Sequence, residues 1–312
     1  MTAIKKYLSL VKFSHTIFAM PFALIGFFLG TFQMAFSVVP GWHTTIYPDW
    51  MPHFSRPTFL GMNFYLYKFI LVILCMIFAR SAAMAFNRWL DKNFDAKNPR
   101  TAIREIPAGI ISKESAVRFV IINCIIFITA TFFINRLCFF LSPVALFIIL
   151  FYSYTKRFTA LCHLVLGLGL SLAPIGAFLA VTGRFDWLPV IFSFTVLFWV
   201  SGFDIIYSLQ DEGFDKSQNL HSIPATFGKT NALNISRLLH LFAAVTIVVA
   251  GFQGHFGYWY WAGVAGFIAM LLYQHSIVKP TDLSKVNIAF MTANGIASLV
   301  FSIFVLLDIF LR

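Results

Sequence analysis

Two stretches of this chain, Ser14–Pro48 and Leu238–Val278, contain no Asp, Glu, Lys or Arg at all. A helix needs about 20 mostly apolar residues to cross the hydrocarbon core of a bilayer. Applied along the whole sequence, that criterion predicts nine spans: 14–36, 66–86, 117–135, 137–155, 160–182, 187–207, 232–252, 256–278 and 287–309. The first is too long for the apolar region of a signal peptide, and no A-x-A cleavage site follows it. The break at Gly251–Gly257 divides the seventh from the eighth. Only 11% of the 312 residues are charged and the mean hydropathy is +0.82, whereas a soluble domain carries about 25% charged residues. Such a chain cannot cover a water-facing surface. The expectation is an all-α integral membrane protein, with residues 1–312 forming a single polytopic membrane domain.

The net charge of +11 would suggest nucleic-acid binding in a soluble protein; here basic membrane loops account for it, and no nucleic-acid partner is expected. With the N-terminus placed in the cytoplasm, seventeen Lys and Arg fall in cytoplasmic segments and five in outer ones. That asymmetry predicts a cytoplasmic N-terminus. Cys75, Cys124, Cys138 and Cys162 all lie in apolar runs without C-x-x-C spacing, which argues against a disulfide framework or a zinc site.

The acids are less ordinary. Nine of the twelve share the cytoplasmic side with the bases, although acids contribute little to topology. After the second span come Asn87, Asp91 and Asp95, at i, i+4 and i+8. After the sixth come Asp204, Tyr207, Asp211 and Asp215, at i, i+3, i+7 and i+11. Each set lies along one helix face. Carboxylates so spaced repel unless something positive lies between them. Mg²⁺ takes oxygen ligands and shares carboxylates with substrate phosphates, and two facing sets suit two metal ions bridging a diphosphate. A solvated helix end explains one such set; two sets with matched spacing on one side favour a metal–phosphate site. Their recurrence after four intervening spans also hints at a duplicated helical unit.

A Pro- and Gly-bearing loop, Asn98 to Gly109, follows the first set. Its Arg100 and Arg104 are suited to gripping phosphate oxygens with planar forks. Tyr152 to Arg157 closes the fourth span at the same surface, where Lys156 and Arg157 serve topology as well as they would a site.

On these residues the chain resembles the UbiA family of membrane aromatic prenyltransferases. The family pattern N-D-x-x-D-x-x-x-D reads here as NRWLDKNFD, followed by RTAIREIPAG for R-T-x-x-R-x-x-P-x-G. The second pattern, D-x-x-Y-x-x-x-D-x-x-x-D, reads DIIYSLQDEGFD, and Tyr152 and Lys156 supply Y-x-x-x-K. Arg88 departs from the pattern, standing where many members have Asp and removing one metal ligand. The Asn98–Thr101 and His221–Pro224 segments are most similar to the quinone-biosynthesis branch, whose members prenylate 4-hydroxybenzoate or naphthoate-type rings.

The resemblance implies a UbiA-type fold with about nine transmembrane helices and Mg²⁺-dependent transfer of a polyprenyl group to an aromatic acceptor, in ubiquinone or menaquinone biosynthesis. Asn87, Asp91, Asp95, Asp211 and Asp215 would hold Mg²⁺ on the diphosphate of a polyprenyl donor. Arg100, Arg104 and Lys156 would stabilise the departing diphosphate, with Tyr152 beside them. Asp204 and Tyr207 would orient the cluster or the acceptor. The implied location is a bacterial inner membrane, with membrane lipid around the chain and the site on the cytoplasmic side.

Other features carry less. His15, beside Lys12, is an interfacial histidine without a specific signal. Gly167, Gly169 and Gly176 read as close helix packing, and Pro21 and Pro174 as kinks. The outer loop 37–65 has no assigned purpose. Two other functions are weighed beside a UbiA-type transferase with a haem or lipid acceptor. CDP-alcohol phosphotransferases require an Asp-Gly-x-x-Ala-Arg element that is missing here. A divalent-cation transporter places its site near the bilayer midplane, whereas these carboxylates cluster at one interface.

Overall fold

The structure is a computed structural model that describes residues 3–11, 19–36 and 62–311. His15, Lys12, most of the outer loop 37–65 and the start of the first expected span lie outside the described residues. Among the described residues twelve α-helices follow in order: α1 (Ala3–Leu10), α2 (Met20–Phe36), α3 (Met62–Leu90), α4 (Lys92–Lys97), α5 (Lys113–Ile134), α6 (Arg136–Thr155), α7 (Cys162–Thr182), α8 (Trp187–Ser208), α9 (Glu212–Ser217), α10 (Ile223–Gln253), α11 (Tyr258–Ile277) and α12 (Asn294–Leu311). A π-helical turn, Ile288–Ala293, leads into α12.

Seven helical stretches among the described residues are long and apolar enough to cross a membrane, which makes this an integral membrane protein. The remaining two expected spans coincide with α2, of which 17 residues are described, and with α11. Helix α11 begins Tyr-Trp-Tyr-Trp and ends near Gln274 and His275, a composition that suits membrane interfaces more than the hydrocarbon centre.

Local sequence explains the joints. Asn135 alone separates α5 from α6: its backbone is extended, its side-chain oxygen accepts from the Cys138 N–H at 2.8 Å, and its amide donates to the Leu179 carbonyl of α7 at 2.8 Å. Ser112, Asp186 and Ser222 cap α5, α8 and α10 in the same way, each satisfying an amide that the first turn leaves free. Helix α10 starts nine residues before the expected span, and Gly228 breaks its helical path at φ 77°.

Close approach between helices uses small residues, as lipid-embedded packing requires. Gly26 and Gly30 of α2 face α7, where a Cβ on Gly26 would collide with the Pro174 carbonyl oxygen. Gly167 of α7 packs against α8, 2.5 Å separating such a Cβ from the Leu197 carbonyl oxygen. The packing reading holds for Gly167 but not for Gly169 or Gly176. A Cβ at Gly169 meets only ordinary contacts at 3.8 Å, one at Gly176 meets nothing within 4 Å, and both glycines border a cavity. Pro21 sits in the first turn of α2, where its missing N–H costs nothing, so it makes no kink within that helix.

Phe22, Trp199, Phe267 and Phe301 form the buried aromatic centre of α2, α8, α11 and α12. Beside it lies a polar network: the Trp199 indole and the Gln274 amide both donate to Asn294 Oδ1, at 2.9 and 2.8 Å. The Asn294 amide in turn donates to the carbonyls of Ala289 and Phe290, both at 3.0 Å. Asn294 thus ties the π turn to α8 and α11.

Candidate active site

Both acidic sets lie where a helix breaks. Helix α3 ends at Leu90 and α4 resumes at Lys92, with the Asp91 and Asp95 amides still bonded to the carbonyls four residues back. On the second wall α8 tightens into a 3₁₀ turn at Leu209–Asp211 before α9. The two walls enclose one cavity of about 280 Å³. Asn87, Asp91, Asp95, Arg100, Arg104, Tyr152, Lys156, Asp204, Tyr207, Asp211 and Asp215 all line it. Sequence spacing placed each set on one face; the fold brings the faces together.

Charge pairing organises the walls. Asp91, 2% exposed, accepts from Lys156 Nζ at 3.0 Å, Arg157 at 2.9 Å and the Asn87 amide at 3.2 Å. Arg157 also donates to the Leu90 and Ser153 carbonyls, so it ties the end of α3 to the end of α6. Asp95 accepts from Arg104 at 2.8 and 3.0 Å. Arg100 crosses the cavity mouth, bonding Asp211 through two nitrogens and the Tyr207 hydroxyl at 3.0 Å. Burial alone would lower the Arg100 pKa, but Asp211 and Tyr207 outweigh it and raise it. Tyr207 stacks on Phe290 with ring centres 4.2 Å apart, which links the site to the π turn.

The loop that carries the two arginines is held at both ends. Gly109 adopts φ 72°, a left-handed turn that suits glycine. Arg88, 3% exposed, pairs with Glu105 at 3.5 Å, and Glu105 accepts a hydrogen bond from Ser9 of α1. The residue that departs from the family pattern therefore anchors this loop while facing the cavity.

A second cavity of about 390 Å³ runs between α3, α5, α6 and α7, lined mostly by apolar side chains. Arg80, Met84, Tyr152, Leu166 and Leu170 line both cavities, so the polar and the apolar spaces adjoin. Arg80 Nε is buried without a hydrogen-bond partner at that junction. An ionisable residue inside a span was visible in the sequence; its place beside the site was not. His163 was missed outright. It lies buried on α7, 2.7 Å from Asp204, and no spacing rule links residues 41 apart.

The donors suit Mg²⁺ in kind. Asn87, Asp91, Asp95, Asp211 and Asp215 offer hard oxygens on both walls, although no three His, Cys, Asp or Glu side chains among the described residues converge into a metal-holding group.

The fold and site define a helical membrane protein in which a cavity walled by acids and bases adjoins an apolar one. The chain belongs to the UbiA prenyltransferase family, which matches residues 60–296. It is 28% identical over 233 residues to a 4-hydroxybenzoate octaprenyltransferase of Nitrosospira multiformis, covering 75% of this chain and 80% of that one. A 4-hydroxybenzoate octaprenyltransferase of Aliivibrio fischeri is 29% identical over 238 residues, covering 74% and 80%. The apo structure of a UbiA homologue from Aeropyrum pernix superposes with a TM-score of 0.73 at 27% identity, over 95% of this chain and 97% of that one. A UbiA homologue from Archaeoglobus fulgidus bound to DMAPP and Mg²⁺ gives 0.71 at 20% identity, over 98% and 100%.

Proposed function

We propose that this protein transfers a polyprenyl group from polyprenyl diphosphate to an aromatic acid, 4-hydroxybenzoate or a dihydroxynaphthoate-type ring, in quinone biosynthesis. The observation that carries the reading is the junction of a charged cavity with an apolar one, a shape that matches a diphosphate head joined to an isoprenoid tail. The octaprenyltransferase relatives support it, as does the prenyl diphosphate held by the Archaeoglobus homologue.

In this reading Asn87, Asp91, Asp95, Asp211 and Asp215 hold Mg²⁺, which when bound neutralises part of the diphosphate charge. Arg100, Arg104 and Lys156 bind the remaining phosphate oxygens and stabilise charge that grows as the allylic C–O bond breaks. The tail occupies the apolar cavity. Arg80, a buried cation with a free Nε at the junction, meets the carboxylate of the acceptor and fixes its ring beside the allylic carbon. The ring carbon bonds to the allylic carbon, the C–O electron pair leaves with diphosphate, and the ring proton passes to Asp204. Tyr207 keeps Arg100 in place, and Tyr152 borders both substrates. The basic cytoplasmic segments support a bacterial inner-membrane location with this site facing the cytoplasm.

The test is diphosphate release and product recovery by purified protein with a polyprenyl diphosphate, each aromatic acid in turn, with and without Mg²⁺, and with Asp91→Asn alongside. Release that requires the metal, an aromatic acid and Asp91 is expected, and the ring that becomes prenylated identifies the branch. Donor binding indifferent to both Mg²⁺ and Asp91→Asn would reject the diphosphate site and leave transport of a divalent cation as the better account.

A further inference from the structure

Asp91, Asp95 and Asp211 are each paired with Lys or Arg. Asp204 is held instead by an imidazole. His163, 3% exposed and on the cavity wall, is the second residue of α7. Its Nε2 lies 3.3 Å from the Ile223 backbone nitrogen. An amide N–H only donates, so Nε2 accepts, and the single proton of the neutral ring sits on Nδ1. Nδ1 points at Asp204 Oδ2, 2.7 Å away.

The anchor of this imidazole is therefore main chain. Ile223 opens α10, and its N–H is among those that a helix start leaves without an intrahelical partner. The ring takes its orientation from a helix terminus rather than from anything that binds in the cavity. Asp204 Oδ2 is thereby occupied. Oδ1 has no hydrogen-bond partner among the described residues, and Asp204 lines the cavity with 22% of its side chain exposed. Asp204 lies seven residues before Asp211, roughly 10 Å deeper along the helix, away from the phosphate-gripping arginine.

We infer that His163 is a positioning residue for the transfer reaction: its Nδ1–H fixes Asp204 so that one carboxylate oxygen is tied and the other faces the acceptor. The inference rests on the proposed aromatic transfer. A free carboxylate rotates and spreads its basicity over several directions, whereas a tied one presents a single lone-pair direction to the ring proton.

Three substitutions separate this role from a structural one. His163→Asn places an amide donor near the position of Nδ1 but cannot reach Ile223. His163→Gln places an acceptor near the position of Nε2 but loses the bond to Asp204. His163→Ala loses both. With the holo protein in lipid nanodiscs, 4-hydroxybenzoate and a polyprenyl diphosphate, His163→Asn is expected to keep kcat within about threefold. His163→Gln and His163→Ala should lose about tenfold or more, with the donor KM unchanged because the diphosphate is held elsewhere. The reverse order, Gln active and Asn inactive, would make His163 an anchor for α10 and overturn the inference; so would three variants equal to wild type.

A second measurement is independent of the acceptor. The ¹⁵N spectrum of histidine-labelled wild type should show His163, assigned as the signal missing in His163→Ala, as the Nδ1–H tautomer, and Asp204→Asn should shift it. An Nε2–H or doubly protonated ring overturns the inference. A wild type inert to every aromatic acid rejects the proposed function instead, and the spectrum alone then decides the pairing.

Discussion

Arg100 joins more of the site than any sequence pattern suggested. One side chain reaches Asp211 and the Tyr207 hydroxyl while lying over the Tyr207 ring. A hydrogen bond involving a charged group contributes about 1.5–3 kcal/mol, so Arg100→Gln is expected to raise the donor KM by about tenfold or more, read by steady-state kinetics. Arg100→Lys should recover little of that, since an ammonium cannot span two partners as a planar fork does. The pH dependence follows from the sign of the shift. Pairing raises the pKa of Arg100 above its ordinary value, so its charge, and the stability that charge contributes, persist until pH rises through that raised value. Donor affinity measured between pH 6 and 9 should show no step that Arg100→Lys abolishes. At this scale the motif acids were legible because their neighbours are four residues away on the same face. His163 and Arg80 were not, because their roles arise from residues 204 and 223, and from the meeting of two cavities, which only tertiary packing supplies.

The helices divide into those that touch through glycine and those that leave space beside it. Replacing a helical glycine by alanine gains about 1 kcal/mol of propensity, while overpacking costs about 1–3 kcal/mol. At Gly26 the new methyl would run into the Pro174 backbone carbonyl, so the clash wins. At Gly176 nothing lies within 4 Å, so propensity wins. Gly26→Ala should therefore lower the thermal midpoint in detergent, and Gly176→Ala should leave it level or raise it. An unchanged midpoint for Gly26→Ala would mean that the α2–α7 contact is looser than the backbone distances indicate. The span pattern located these helices to within a few residues, since apolar length is a one-dimensional property. The distinction among Gly167, Gly169 and Gly176 was hidden, because three mid-span glycines look alike until a neighbouring helix stands against one of them. The early start of α10 was hidden too: Ser222 and the Gly228 bend precede the apolar run by which the span was recognised.

Over the whole molecule, two tests follow. Ile103 and Arg184 are both exposed, on opposite expected sides of the membrane. In intact cells an impermeant maleimide should label Arg184→Cys, and Ile103→Cys only after permeabilisation; the opposite pattern would invert the proposed orientation. The apolar cavity also has a definite wall at Gly176. Filling it with Gly176→Phe should shift donor preference toward shorter prenyl chains, measured as the ratio of kcat/KM for a short donor to that for a long one. An unchanged ratio would place the tail elsewhere.

The adjoining cavities bear on how a turnover ends. Val144, on α6, lines the apolar space and is 55% exposed, while the charged space is bordered by the loop that carries Arg100 and Arg104. Under the proposed reaction the two products part according to solubility: inorganic diphosphate leaves into water, and the alkylated ring, now lipophilic, drifts sideways into the bilayer. Each product then dilutes into a different phase, so accumulation of one does not raise the concentration of the other at the site, and the recombination that would reverse the transfer requires reagents that no longer share a solvent.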